Sequence, residues 1–384
     1  EEAYVRRYLS SFDSGGLAGA RILVYQHSAV GRDILTRILR ELGAEAIAAG
    51  RSNTFIPIDT ENITDKQLDR LEELAVAAES GAEPIHAIVS TDGDSDRPLV
   101  TAVLPAGEAK PGGRRVRFLP GDLLGIIVAE YLRADAAAVP ISANDVVERR
   151  LGERETLLQK TKIGSPYVVA ALDELRVAGK ARRIVGWEAN GGFLTGSDIA
   201  LDGSTLAALP TRDSTLPILA NLFAAAEQGV SLSALWDRLP TRFGRAGLLD
   251  NIPIAASQTI MANLLPPGDV IEAAFDSAGR VSDRSRLGAL LAAEHAEEWR
   301  KRRAVLARFF TAALGFDEIV RINVLDGVRV CFNNGDVAHI RPSGNAPQLR
   351  IYANSDSQER ADQIVELGVR EPDGILRQLE RAFT

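Results

Sequence analysis

The sequence predicts an α/β protein in which two consecutive α/β domains are followed by a C-terminal α+β domain of helix plus antiparallel sheet. Three observations carry this. Apolar strand segments alternate with amphipathic helix patterns through the first 228 residues. Beyond Asp317 the pattern changes to alternating apolar and polar residues around Asp326-Gly327 and Asn334-Gly335, which signals hairpins. Finally, 384 residues are too many for one ordinary core, at roughly 150 residues per domain.

The first domain is expected over residues 1–98. RILVYQH from Arg21 reads as a strand, SAVGRD as a loop, and DILTRILRELG as a helix ended by Gly43. A second helix, DKQLDRLEELAVAAESG, leads to the strand IHAIVST from Ile85, whose C-terminal end carries STDGDSDRPLV. In open α/β sheets that end of a strand is where ligands bind. The second domain is expected over 99–228. Two strands lie around the Pro/Gly loop of VTAVLPAGEAKPGGRRVRFLP, followed by helices in GDLLGIIVAEYLRADA and KIGSPYVVAALDELRVAGKA. A strand, RRIVGWEANGGFL, feeds a glycine-rich turn, and TLPILANLFAAAEQG after Thr211 reads as a further helix. The third domain, 229–384, opens with loops, has a long helix around 286–314, then hairpins and the helix SQERADQIVELGV. No repeat of solenoid period is present, although the first two domains read as related in architecture.

Composition narrows the function. A net charge of -8 and a pI near 5.3 disfavour a nucleic-acid reader, whose affinity rests on phosphate neutralisation. The longest apolar run, Leu123 to Tyr131, falls well short of the ~20 residues of a spanning helix, so no membrane partner is expected. With one cysteine, Cys331, neither an internal disulfide nor a thiolate zinc site can be built, which fits a cytoplasmic setting. The chain opens on Glu1-Glu2 without a secretory signal, so it is expected to begin inside something larger.

Four segments could carry chemistry. Asp92, Asp94 and Asp96 repel one another unless water screens them or a cation sits between them. An EF-hand would need glycine and glutamate where Arg97 and Val103 stand, so a hard cation such as Mg2+ with one face open to a phosphate oxygen is the better fit; a solvated acidic turn is the alternative. Arg341-Pro-Ser343-Gly344-Asn345 between two strands offers a guanidinium, a hydroxyl and backbone amides for an anion, against a plain Ser-Gly turn. Arg350 is on the following strand. Glu188 and Asn190 lie two apart on the glycine-rich turn, a pair able to grip sugar hydroxyls or, equally, an exposed tight turn. Lys162 precedes a helix and could hold a phosphate or simply be solvated. The run Arg300–Arg303 is preceded at four residues by Glu297 and Glu298, so it reads as a charge-paired helix face. The four histidines, His27, His86, His295 and His339, show no ligand spacing and read as strand or helix residues.

In this order, DGDSDR, GWEANGG and RPSGNAP resemble the metal-, sugar- and phosphate-binding loops of the α-D-phosphohexomutase superfamily, the phosphomannomutases and phosphoglucomutases. YQHSAVGRD and the TKIG turn extend the resemblance over essentially the whole chain. It implies two α/β/α mixed-sheet domains followed by the C-terminal domain, with the family's N-terminal domain and its phosphoserine not found here. That absent domain is expected to pack on the first domain of this chain. Asp92, Asp94 and Asp96 would hold Mg2+, and Arg97 would position the moving phosphoryl group. Glu188 and Asn190 would bind sugar hydroxyls; Arg341, Ser343, Gly344, Asn345 and Arg350, helped by Lys162, would bind the resting phosphate. The implied reaction interconverts hexose 6-phosphate and hexose 1-phosphate, of mannose and/or glucose, through a hexose 1,6-bisphosphate. Ala346 stands where many relatives have glutamate, and Gly192 stands where some have histidine next to the sugar; the second departure leaves hexose preference open. The alternative is a sugar-phosphate-binding protein without mutase activity, and a phosphatase using the same aspartates ranks last because no nucleophile is visible.

Overall fold

The structure is a computed structural model that describes residues 1–61, 63–79, 83–105, 113–283, 289–343 and 346–384. It has two compact units, Glu1–Pro240 and Thr241–Thr384. No helix among the described residues is long and apolar enough to cross a membrane.

Unit 1 holds two mixed sheets. The first half comprises helix α1 (Glu2–Leu9), strand β1 (Arg21–Tyr25), α2 (Arg32–Glu41), β2 (Glu45–Ala49), α3 (Asp65–Glu79), β3 (Ala87–Thr91), β4 (Pro98–Val103) and β5 (Val116–Phe118). Its sheet order is β2-β1-β3-β4-β5, with β1 parallel to both neighbours and β4 antiparallel to both. The second half comprises α4 (Gly121–Tyr131), β6 (Ala136–Pro140), α5 (Val146–Glu153), β7 (Leu157–Thr161), α6 (Ser165–Ala178), β8 (Ile184–Trp187), β9 (Phe193–Thr195), the hairpin β10 (Ile199–Leu201) and β11 (Ser204–Leu206), β12 (Leu209–Asp213), α7 (Thr215–Glu227) and α8 (Leu232–Trp236). Its main sheet runs β12-β9-β8-β6-β7, again three parallel strands extended by two antiparallel ones. The expected kinship of the two halves is therefore a kinship of topology.

Strand alternation assigns the core layers. Ile22, Val24, Ala87 and Val89 of the first sheet share one apolar cluster with Ala137, Val139, Val185 and Trp187 of the second, filled in by α4 and α7. The opposite faces close separately: Leu23, Tyr25 and Ile88 pack with α3 residues Leu71 and Ala75, and Ala136, Ala138 and Ile184 pack with α6 residues Val168, Leu172 and Leu175. Every residue of β1, β3 and β6 is buried, as expected of strands covered on both faces.

Two expected boundaries move. Pro98–Val103 and Val116–Phe118 stay with the first sheet, because Thr91 pairs with Pro98 and Thr101 with Phe118, so no new domain begins at residue 99. The break expected at 228 falls at Pro240, since Leu232, Leu235 and Trp236 of α8 enter the core of unit 1.

Unit 2 is an eight-stranded sheet with helices. In chain order it has β13 (Phe243–Asp250), α9 (Ile254–Leu264), β14 (Glu272–Phe275), β15 (Val281–Asp283), β16 (Ala289–Leu290), α10 (Ala293–Ala307), β17 (Ile319–Asn323), β18 (Val328–Phe332), β19 (Val337–Pro342), β20 (Gln348–Ser355), α11 (Gln358–Val369) and α12 (Ile375–Phe383). The sheet order is β13-β20-β19-β18-β17-β14-β15-β16, antiparallel throughout. Strand β13 and helix α9 stand where loops were expected, and α10 begins at Ala293, later than the expected residue 286. The hairpins at Gly327 and Gly335 form as expected, both glycines having positive φ. Val328, Val330, Ile340 and Ile351 face the apolar core, which puts Arg329, His339, Arg341, Arg350 and Tyr352 on the other face.

Candidate functional site

The acidic stretch is the tight β3–β4 connection. Asp92 N donates to Arg97 O at 3.0 Å, while Asp92 Oδ1 accepts from Asp96 N and Arg97 N, both at 3.1 Å. Ser95 takes a left-handed φ of 64°, and its Oγ accepts from Gly31 N at 2.8 Å and from Thr91 Oγ1 at 2.9 Å. Val30 N donates to Gly93 O at 3.1 Å, so the SAVGRD loop buttresses the acidic one. His27 is in the turn just before that loop rather than in a strand or helix, and its Nε2 is 2.9 Å from Thr91 O.

The fold thus forces the three carboxylates together: each offers one oxygen, and these lie within 4.8 Å of one another. Burial, reinforced by its acidic neighbours, pushes Asp92 up to about 6, and burial also raises Asp96. Asp96 Oδ1 is buried with no hydrogen-bond partner among the described residues. An all-oxygen set with an unsatisfied buried acceptor fits a hard divalent cation such as Mg2+. Arg97 Nε is 3.6 Å from both Asp92 Oδ2 and Asp96 Oδ1.

The β8–β9 connection presents Glu188 and Asn190, both buried. Glu188 Oε2 accepts from Ser165 Oγ at 2.7 Å, at the first residue of α6, where the helix N-terminus favours negative charge. Asn190 Oδ1 accepts from Gly192 N at 3.0 Å, and Asn190 O accepts from Thr60 Oγ1 at 2.8 Å. The backbone of this turn touches the first half of the unit: a Cβ on Gly191, whose φ is +87°, would meet Pro98 Cγ at 2.9 Å. Ser214 Oγ donates to Ser95 O at 2.8 Å, a second tie between the halves.

A residue absent from the sequence reading completes the site. Arg212 at the end of β12 bonds Asp96 Oδ2 at 2.6 Å and lies 3.6 Å from Glu188 Oε2. Its strand neighbour Asp213 points the other way, accepts from Tyr4 and Tyr8 of α1, and caps α7 through Thr215 N at 3.1 Å. The sequence pattern leaves Arg212 in the short stretch between Thr211 and the helix TLPILANLFAAAEQG and gives it no role. Asp213-Ser214 ahead of that apolar run is a cap signal, and it marks Arg212 as lying on the element before the helix.

Lys162 is exposed on the β7–α6 turn, three residues before Ser165, with its ammonium 5.9 Å from the Tyr167 ring centroid. In unit 2, Arg341 and Arg350 stand directly opposite each other on β19 and β20. Arg341 Nε donates to Asp326 Oδ2 at 3.1 Å, whereas Arg350 Nε has no hydrogen-bond partner among the described residues. Ser343 follows β19 and its N donates to Gln348 O at 3.0 Å. Gly344 and Asn345 lie outside the described residues. The basic run is charge-paired as expected, though at three residues: Lys301 with Glu298 at 2.8 Å and Arg300 with Glu297 at 3.4 Å.

Family profiles for phosphoglucomutase/phosphomannomutase match in order, the α/β/α domain III over residues 120–243 and the C-terminal domain over 280–368. The chain belongs to the α-D-phosphohexomutase superfamily. Within it, a phosphomannomutase of Sinorhizobium fredii is 36% identical over 368 residues, covering 95% of this chain and 65% of that protein. A phosphoglucomutase/phosphomannomutase family protein of Burkholderia thailandensis superposes with a TM-score of 0.61 at 17% identity, over 99% of this chain and 64% of that one. The N-acetylphosphoglucosamine mutase of Aspergillus fumigatus, in complex with GlcNAc-6P and magnesium, gives 0.53 at 13% identity, over 99% and 63%. This chain therefore spans about two thirds of the length of these superfamily members.

Proposed function

We propose that this chain carries the cation-, sugar- and phosphate-binding parts of a phosphohexomutase that interconverts hexose 6-phosphate and hexose 1-phosphate, of mannose and/or glucose, by way of a hexose 1,6-bisphosphate with Mg2+. The observation that carries this is the convergence of Asp92, Asp94 and Asp96 beside Glu188, with Arg212 between the two loops. The 36% identical phosphomannomutase supports the same reaction class.

When bound, Mg2+ supplies charge neutralisation at a phosphoryl oxygen. Asp92, Asp94 and Asp96 hold it, and Arg97 adds a guanidinium beside the same oxygens. Glu188, fixed by Ser165, accepts from sugar hydroxyls; Asn190, whose Oδ1 is committed to Gly192 N, has its amide N–H groups to donate. In unit 2, Arg341 and Arg350 with Ser343, Gly344 and Asn345 bind the phosphate that is not being transferred; Lys162, exposed on unit 1, is assigned a phosphate contact of its own. Holding the sugar hydroxyls at Glu188 and Asn190 aligns the hexose for in-line transfer at the cation loop of the same unit.

A mutase cycle needs a phosphorylated serine, and Ser95, the serine within the acidic loop, has its hydroxyl engaged with Gly31 and Thr91. The second reading is a sugar-phosphate-binding protein without mutase activity. One experiment separates them: 31P NMR of mannose 1-phosphate with the protein, Mg2+ and catalytic glucose 1,6-bisphosphate. Appearance of mannose 6-phosphate, lost in Asp96→Asn, supports the mutase. Line broadening of the substrate without conversion supports the binder, and an unperturbed spectrum refutes both.

A further inference from the structure

The Arg212 guanidinium is 2.6 Å from Asp96 Oδ2 and 3.6 Å from Glu188 Oε2, one carboxylate from the cation loop and one from the sugar loop. Asp96 meets Arg212 through Oδ2 and keeps Oδ1 buried without a hydrogen-bond partner among the described residues. The arginine stem has a fixed path as well. A Cβ on Gly192 would lie 2.8 Å from Arg212 Cδ and 3.0 Å from Arg212 Cγ, so the absence of a side chain at 192 is what lets Arg212 cross the sugar loop to reach Asp96.

We infer that Arg212 is a positioning residue that couples the cation site to the sugar site, an inference that rests on the mutase or sugar-phosphate-binding assignment of the two loops. In the ligand-free protein Asp96 is neutralised by Arg212. When Asp96 turns its charge to a divalent cation, Arg212 loses its closest counter-charge and becomes free to orient Glu188 and to meet an anionic or hydroxyl oxygen of the sugar phosphate. Each ligand then favours the other by the same factor, as linkage requires. Gly192 is part of the device, because any side chain there displaces the arginine stem.

The test measures Mn2+ and mannose 1-phosphate binding to the whole chain by calorimetry, each alone and each in the presence of the other. In the wild type each ligand is expected to tighten the other by about fivefold or more. In Arg212→Gln the mutual enhancement falls below about twofold, while Mn2+ alone binds several-fold more tightly because no guanidinium competes for Asp96. A merely structural loss would weaken Mn2+ binding instead. Arg212→Lys keeps the charge and so keeps the Mn2+ affinity, but one ammonium cannot span both carboxylates and the enhancement is lost. Gly192→Ala reproduces the uncoupling with the guanidinium still present. Wild-type enhancement that persists unchanged in Arg212→Gln or Arg212→Lys overturns the inference alone. A wild type that binds neither Mn2+ nor mannose 1-phosphate overturns the functional assignment and this inference together.

Discussion

Lowering the pH from about 7 to about 5 tests the buried His339 of unit 2. Its Nε2 lies 2.6 Å from Asp326 O and must carry the proton of that hydrogen bond, while Nδ1 is buried with no hydrogen-bond partner among the described residues. Arg329 opposite on β18, Arg341 two residues on and Tyr352 opposite on β20 surround the ring, with the Asp326 backbone closing it. Burial first, then the nearby arginines, drop His339 from 6.5 to about 4. The folded state therefore binds fewer protons than the unfolded state between those values, so stability is complete above about pH 6.5 and is lost as the pH falls toward 4. The full gap, at about 1.4 kcal/mol per pH unit, amounts to about 3 kcal/mol, of which about 2 kcal/mol is lost by pH 5. Hydrogen–deuterium exchange of amides in residues 328–355, corrected for intrinsic rates, reads this as a roughly twentyfold rise in the opening equilibrium at pH 5 relative to pH 7. His339→Gln removes the titrating group, so its pH dependence should be flatter by that amount whatever its absolute stability. Equal pH slopes in the two proteins would refute the assignment of the loss to His339.

Gly125→Ala puts a methyl 2.4 Å from Trp187 Nε1, inside a packed layer, and should lower stability by about 1 to 3 kcal/mol in a thermal melt. Asp94→Asn relieves like-charge repulsion, so without metal the melting temperature should hold or rise, while Mn2+ affinity measured by calorimetry falls about tenfold or more. Tyr8→Phe deletes one donor to buried Asp213 and should cost about 1 to 2 kcal/mol in a urea melt, with Tyr4 and the amides of Thr215 and Leu216 still in place. Ser165→Ala frees Glu188 from its 2.7 Å hydrogen bond, and mannose 1-phosphate affinity should drop several-fold in calorimetry with the Mn2+ affinity unchanged.

Period and turn chemistry made the elements legible where they agreed. RILVY and AIVST read as buried strands and Asn334-Gly335 as a hairpin because local pattern and tertiary environment ask for the same residues. Ala136–Pro140 went unseen because alanines carry no strand signal, and its place at the centre of a sheet buried on both faces comes from neighbours, not from propensity. Phe243–Asp250 is likewise a glycine-containing edge strand that exists through its pairing with β20. The acidic loop and the Glu188 turn were legible as chemistry because each is contiguous. Arg212 was not, since nothing local distinguishes it from other arginines and both its carboxylates come from distant loops.

The repeated topology explains why those two loops, with no sequence in common, meet. In each half of unit 1 the last parallel strand reverses directly into an antiparallel one, β3 into β4 and β8 into β9, and the candidate ligand loop is that reversal. A βαβ crossover would have carried the chain away over a helix; a short reversal keeps it at the C-terminal ends of the parallel strands, where ligands collect. The shared core of α4 and α7 and the ties Thr60–Asn190 and Ser214–Ser95 then fix one reversal against the other. Two copies of one plan thus bring two different chemistries, three carboxylates and a carboxylate–amide pair, to one place. Arg212, on the edge strand β12 that extends the second sheet, lies where a single guanidinium can reach both. Topology supplies the meeting point, and only side chains that cross it can make the two sites respond to each other.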